Sequence, residues 1–212
     1  MDFHIGRLIE HLKATGQYDN TLFVFTSDNG TEVSGATDPS RVQAQVLIRN
    51  QGYTSEYETL GLKGSFNSIS PSFASASASP LAFYKFYAGE GGLRVPLIIA
   101  GQSVLNKGEL NHALSHVTDI TPTILSLAGV ETPNGRFGGR PVEAMIGRDL
   151  MPLIRGDVER VYAEDDVIGY EVGGNAALFR GDYKIVMNRG PIGDSQWHLY
   201  NIVSDPGETK DL

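Results

Sequence analysis

Cysteine is absent from the 212 residues. That excludes disulfides, thiolate metal sites and a cysteine nucleophile, and it leaves the compartment open. No apolar run reaches about 18 residues, so no stretch reads as a transmembrane helix. Basic residues are in the minority, 17 Lys+Arg against 25 Asp+Glu, for a net charge of −8. A general nucleic-acid binder needs a basic face, so nucleic acid is not an expected partner. The opening MDFHIGRLIEHL lacks a basic stretch followed by an apolar one, so it does not read as a secretory signal. Also missing are the G-x-S-x-G elbow, the P-loop and the dinucleotide-binding glycine pattern. His112 and His116 stand four apart in HALSH, but no Glu follows the first, which excludes the zinc-protease helix. The five histidines are therefore read as structural or surface residues.

The residues that are present read as an α/β chain. Ile5, Leu8, Ile9 and Leu12 lie on one helical face, with Gly16 as the stop. Thr21–Thr26 is a short continuous apolar run, which suits a strand covered on both faces as in a parallel sheet. Leu97–Ala100 reads the same way. Asp119 or Thr121 caps a helix with Pro122 in its first turn and Gly129 just past its end. From about residue 160 the period falls to two: VIGYEV, NAALFR, DYKIVM and WHLYNI, with glycine turns at 173–174 and 181. The expected organisation is an α/β portion over 1–155 and a small antiparallel-sheet subdomain over 156–212. Residues 51–80, rich in Gly and Ser, read by composition as a linker.

Two stretches can carry chemistry. FTSDNG at 25–30 ends in Asn-Gly, a hairpin signal, but Asp28 and Asn29 are also hard oxygen donors at a strand end. A plain Asx turn is the competing reading. In FYKFYAGEGGLRVP, Lys85 sits among aromatics. It reads either as an ammonium held for an anion or as a snorkelling surface lysine. Arg94 can bind an anion or pair structurally with Glu90, and the structural pair is the expectation.

Four blocks, taken in order, resemble the sulfatases, most closely bacterial arylsulfatases, within the alkaline-phosphatase-like superfamily. DNTLFVFTSDNG resembles the second metal-ligand strand of that family. FYKFYAGEGGLRVPLIIAG resembles its lysine followed by Glu-Gly-Gly-x-Arg-x-Pro. HVTDITPTILSLAGV resembles its Asp-x-x-Pro-Thr-x-Leu helix. WHLYNIVSDPGETKDL resembles its last sheet strand and Leu-Tyr-x-x-x-x-Asp-Pro-x-Glu turn. The resemblance implies a partial alkaline-phosphatase-like mixed sheet with flanking helices, plus a small C-terminal antiparallel sheet. It implies that Asp28 and Asn29 are ligands of a catalytic Ca2+. Lys85 would contact the sulfate group and stabilise charge in the transition state. Glu90 and Arg94 would be scaffold, and the segment ending ASASASP an active-site loop.

The family's nucleophile is the hydrate of formylglycine, made from the Cys or Ser of a Cys/Ser-x-Pro-x-Arg motif. No such motif occurs here. Thr37-Asp38-Pro39-Ser40-Arg41 comes near it, but it follows the metal strand, and a β-methyl alcohol would oxidise to a ketone. A Pro-started helix explains it. The upstream Asp pair, second Lys and two His of the family are missing as well. The expectation is a C-terminal portion of an arylsulfatase, inactive alone, with Ca2+ absent or weakly held and formylglycine not formed. The parent enzyme would take sulfate monoesters, and an uncovered sheet edge would favour self-association. The alternatives are a non-catalytic module binding an anion or a partner, or a phosphatase or phosphodiesterase of the same superfamily.

Overall fold

The computed structural model describes residues 1–33, 46, 48–66, 69–102, 104 and 108–212. The chain divides into two compact units, Met1–Thr26 with Pro96–Ala163, and Ser27–Val95 with Glu164–Leu212. The class is mixed α/β with small antiparallel sheets.

In the first unit, helix α1 spans Asp2–Ala14. Asp2 in its first turn and Lys13 in its last complement the helix dipole. Gly16, at φ +69°, ends it, with Gln17 N donating to Leu12 O at 2.8 Å. Strand β1, Leu22–Thr26, pairs with β2, Leu97–Gly101, with Val24 opposite Ile99. The pairing is antiparallel, which corrects the parallel expectation. Two-sided cover is also missing: Val24, Phe25 and Ile98 are 37%, 39% and 56% exposed. The physical reason is that these two strands have only each other among the described residues, so no third layer reaches their outer faces.

Helix α4 of this unit, Ile120–Leu127, forms where expected, but neither Asp119 nor Thr121 caps it through its side chain. Asp119 precedes it, Pro122 lies in its first turn, and Gly129 at φ +66° closes a Schellman pair, Gly129 N to Ser126 O and Val130 N to Leu125 O. A two-residue hairpin follows, β3 (Arg136–Phe137) with β4 (Arg140–Pro141), then helix α5, Met151–Ile154, with Leu150 and Met151 buried at its start.

The second unit holds helices α2, Ser70–Ala78, and α3, Glu90–Leu93, and a four-stranded meander. The meander runs β5 (Val167–Val172), β6 (Asn175–Arg180), β7 (Tyr183–Met187) and β8 (Trp197–Asn201), each antiparallel to the next. Gly173 and Gly174 turn β5 into β6 with φ of +58° and +84°, the left-handed geometry a two-residue hairpin needs. Ala177 and Val186 bury against Ala88, with Leu93, Tyr170, Phe179 and Tyr200 around them. Within 51–80 the linker reading is corrected over SPSFASASA, which is α2. Alanine is the best helix former and Pro71 suits a first turn, so low complexity here is helical rather than loose. Val46 and residues 48–50 are helical, while the Pro39 start of that helix and the TDPSR stretch lie outside the described residues. No helix among the described residues is long and apolar enough to cross a membrane.

Candidate functional site

The second unit holds Asp28, Asn29 and Lys85 together. Asn29-Gly30 is not a hairpin turn, because the partner of β1 is residues 97–101. Glycine is required at position 30 for a different reason. A Cβ there would stand 2.0 Å from Gly91 O and 2.8 Å from Gly92 Cα. The two backbones touch, and Gly30 N donates to Gly92 O at 3.0 Å. One residue on, Lys85 N donates to Thr31 O at 3.1 Å. Residues 30–31 thus fasten the SDNG stretch to the lysine block.

Asp28 is exposed and Asn29 half-buried. Asn29 Nδ2 donates to Gly30 O at 3.0 Å, and Ser27 Oγ donates to Asn29 O at 2.9 Å. These bonds leave Asn29 Oδ1 and the Asp28 carboxylate as the oxygen donors on offer. Ca2+ takes about six to eight oxygens. Among the described residues no group of three or more His, Cys, Asp or Glu can hold a metal. Two donors do not make a Ca2+ site, so the described residues do not fit that ion by themselves.

Lys85 is half-buried and its ammonium pairs with the Glu32 carboxylate. The same ammonium lies 5.4 Å from the Phe86 ring centroid. The flanking backbone is strained: Phe83 and Phe86 sit at φ +64° and +82°, a region bulky residues adopt only when their surroundings force them to. Contacts from β6 and from the residue after β7 hold the backbone at 86–88. Asn175 Nδ2 donates to Phe86 O at 2.7 Å, and Asn188 Oδ1 accepts from Ala88 N at 2.7 Å. Burial pushes the Tyr84 and Tyr87 phenols up, so both stay protonated near neutrality.

Beyond Lys85 lies a buried charge chain. Arg94 Nε donates to Glu90 Oε2 at 2.7 Å, the structural pair expected from sequence. Lys184, fully buried on β7, reaches Glu90 Oε1 at 2.9 Å and Glu208 Oε1 at 2.8 Å. Glu208 Oε2 also accepts from Glu90 N at 2.8 Å, at the start of α3. Two cations face two carboxylates, so the cluster is balanced, as burial demands. Burial holds the Glu208 carboxyl above its ordinary range, with Lys184 opposing the shift in part. The sequence motifs leave out Lys184, Glu32, Asn175 and Asn188, and include Glu208 only as the last residue of the Asp-Pro-x-Glu turn, with no role given to it. The available signal for Lys184 was its place in DYKIVM, where it shares the inward-facing alternation with Val186.

The first unit contributes a second polar cluster with a structural task. Asp119, fully buried, accepts from His116 N at 2.7 Å, Arg148 N at 2.8 Å and the Tyr162 hydroxyl at 2.5 Å. Thr123 Oγ1 donates to Asp119 O at 2.6 Å and accepts from Leu150 N at 2.8 Å. These bonds tie the entry to α4 to residues 148–150 and to Tyr162.

Comparison with known proteins gives a consistent match. The sulfatase family model matches residues 1–130. An uncharacterized sulfatase of Schizosaccharomyces pombe is 32% identical over 100% of this chain and 38% of its own length. An arylsulfatase of Klebsiella aerogenes is 34% identical over 72% of this chain and 32% of its own. The chain thus spans about a third of the length of these curated relatives. The solved PsFucS1 sulfatase from Pseudoalteromonas sp. superposes with a TM-score of 0.62 over 97% of this chain and 35% of its own, at 23% identity.

Proposed function

The chain belongs to the sulfatase family, and on that premise we propose that it is the lysine-bearing portion of an arylsulfatase-type sulfuric ester hydrolase. The observation that carries this reading is the fastening of residues 30–31 to residues 85 and 92, which sets Asp28, Asn29 and Lys85 on neighbouring strands of backbone. Lys85 is the group that binds the sulfate oxygens. A fixed ammonium beside an aromatic ring stabilises the charge that builds on those oxygens as the ester bond breaks. In a protein of the relatives' length Asp28 and Asn29 would offer two oxygen ligands to a Ca2+ shell, and that ion would supply Lewis-acid polarisation. The role of the charge chain around Glu90 is to hold the 89–92 turn at Gly30. The open edges of the β1–β2 ribbon favour self-association.

The test is an assay of this chain with an aryl sulfate and Ca2+, together with a sulfate-ester titration. The expected outcome is no turnover, because the chain contains no Cys/Ser-x-Pro-x-Arg motif, but binding that Lys85→Ala weakens at least 10-fold. Turnover that disappears in Lys85→Ala overturns the claim of inactivity. Binding that Lys85→Ala leaves unchanged overturns the sulfate assignment.

A further inference from the structure

The ammonium assigned above to the sulfate group already has a carboxylate on it. Glu32 pairs with Lys85 in the second unit, with side-chain exposures of 40% and 30%. The pairing is built in, because Lys85 N bonds to Thr31 O and thereby sets residue 32 beside residue 85. An ammonium has three donors and can serve a carboxylate and an incoming oxyanion together. An anion that reaches Lys85 therefore meets the field of a pair and not of a bare cation.

From this we propose that Glu32 is a specificity-determining residue: by sharing the Lys85 ammonium it biases the site towards singly charged sulfate monoesters and away from doubly charged phosphate monoesters. The proposal rests on Lys85 being the anion-binding group. Its basis is the linearity of Coulomb's law in charge. A carboxylate a few ångströms from the bound anion repels a monoanion once and a dianion twice. Sulfate and phosphate monoesters have the same tetrahedral shape and the same oxygens to offer Lys85. Near pH 8 they differ by about one unit of charge, since the second phosphate pKa is about 6. Charge is thus the property on which a single neighbouring residue can discriminate. Glu32 touches the substrate only through Lys85 and its own field, so it acts as a positioning and charge-setting group.

The experiment titrates the full chain at pH 8 with phenyl sulfate and phenyl phosphate, following amide shifts around residues 82–92 by NMR. Wild type, Glu32→Gln, Glu32→Asp and Lys85→Ala are compared, with thermal melts to verify that each is folded. At this half-exposed position the carboxylate's repulsion corresponds to a factor of about 5 in affinity for a monoanion, hence about 25 for a dianion. Glu32→Gln is expected to tighten phenyl sulfate about 5-fold and phenyl phosphate about 25-fold. Glu32→Asp keeps the charge and is expected to keep the wild-type ratio. Lys85-dependent binding in which Glu32→Gln shifts both anions equally, or neither, overturns the role of Glu32 and leaves that of Lys85 standing. Anion binding indifferent to Lys85→Ala, or no binding by either wild type or Glu32→Gln, overturns the Lys85 reading and this proposal with it.

Discussion

Gly30 illustrates how a single residue type can be read correctly for the wrong reason. Asn-Gly suggests a turn that needs a left-handed glycine, yet what this position needs is the absence of a Cβ against Gly91 and Gly92. Those partners lie some sixty residues away and no local pattern points to them. Gly30→Ala is predicted to destabilise the chain by about 1–3 kcal/mol, the usual cost of overpacking, because the atoms it meets are backbone and cannot swing aside. Urea denaturation measures this, and the same variant is expected to lose affinity for sulfate esters as the Lys85 segment moves from Thr31. A wild-type midpoint and affinity would show that the contact is unimportant. Glu90 and Arg94 were legible because they stand at helical spacing. Lys184 was not, since its partners are known only once β7 is laid against α3.

At the scale of elements, legibility followed the periodicity. The meander strands show clean period-two alternation with glycines at the turns, and all four formed where those signals lie. The run at 21–26 was recognisable as a strand but not as antiparallel, because a continuous apolar run carries no direction. Beside β8, residues 205–212 form a strap: Leu212 N donates to Leu199 O at 3.0 Å and Leu199 N to Asp211 Oδ1 at 2.9 Å. His198 on β8 lies between Asp211 and Asp194, 2.9 Å from each. Hydrogen bonds to Asp211 and Asp194 raise the His198 pKa above its ordinary value of 6.5. Asp194 and Asp211 are lowered below 3.8, chiefly by the backbone amides of Gln196 and Leu199 and then by His198. A raised histidine contributes stability that is complete below its unfolded pKa and is lost as pH rises through the folded one. The lowered carboxylates contribute above their unfolded pKa and lose it in acid. The clamp therefore holds between the carboxylate range and somewhat above the ordinary histidine value. His198→Asn is predicted to melt a few degrees below wild type at pH 5.5, with the gap closing by pH 9. An equal gap at both pH values would show that charge plays no part.

For the whole molecule, the family and the mixed α/β class were legible because four separated blocks keep their order along the chain. The division into two units was not, since each unit is assembled from two stretches of sequence. The ribbon of β1 and β2 carries exposed Val24, Phe25 and Ile98 and has no further strand among the described residues. Such an edge is a template for another chain. Sedimentation velocity is predicted to show species larger than a monomer that decline on dilution. A monomer mass at every concentration would exclude that association.

The spacing of the buried charge chain has a consequence for biosynthesis. Glu90 and Lys184 are 94 positions apart, and Glu90 and Glu208 are 118 apart. A ribosome adds about 5–20 residues per second. Glu90 therefore leaves the ribosome roughly 5–20 seconds ahead of Lys184, with only Arg94 following closely as a counter-ion. Through that interval the Glu90 oxygen that faces Lys184 keeps its water, and the 82–92 turn has no β7 to close on. The second unit completes its 82–92 turn only after β7 has been made.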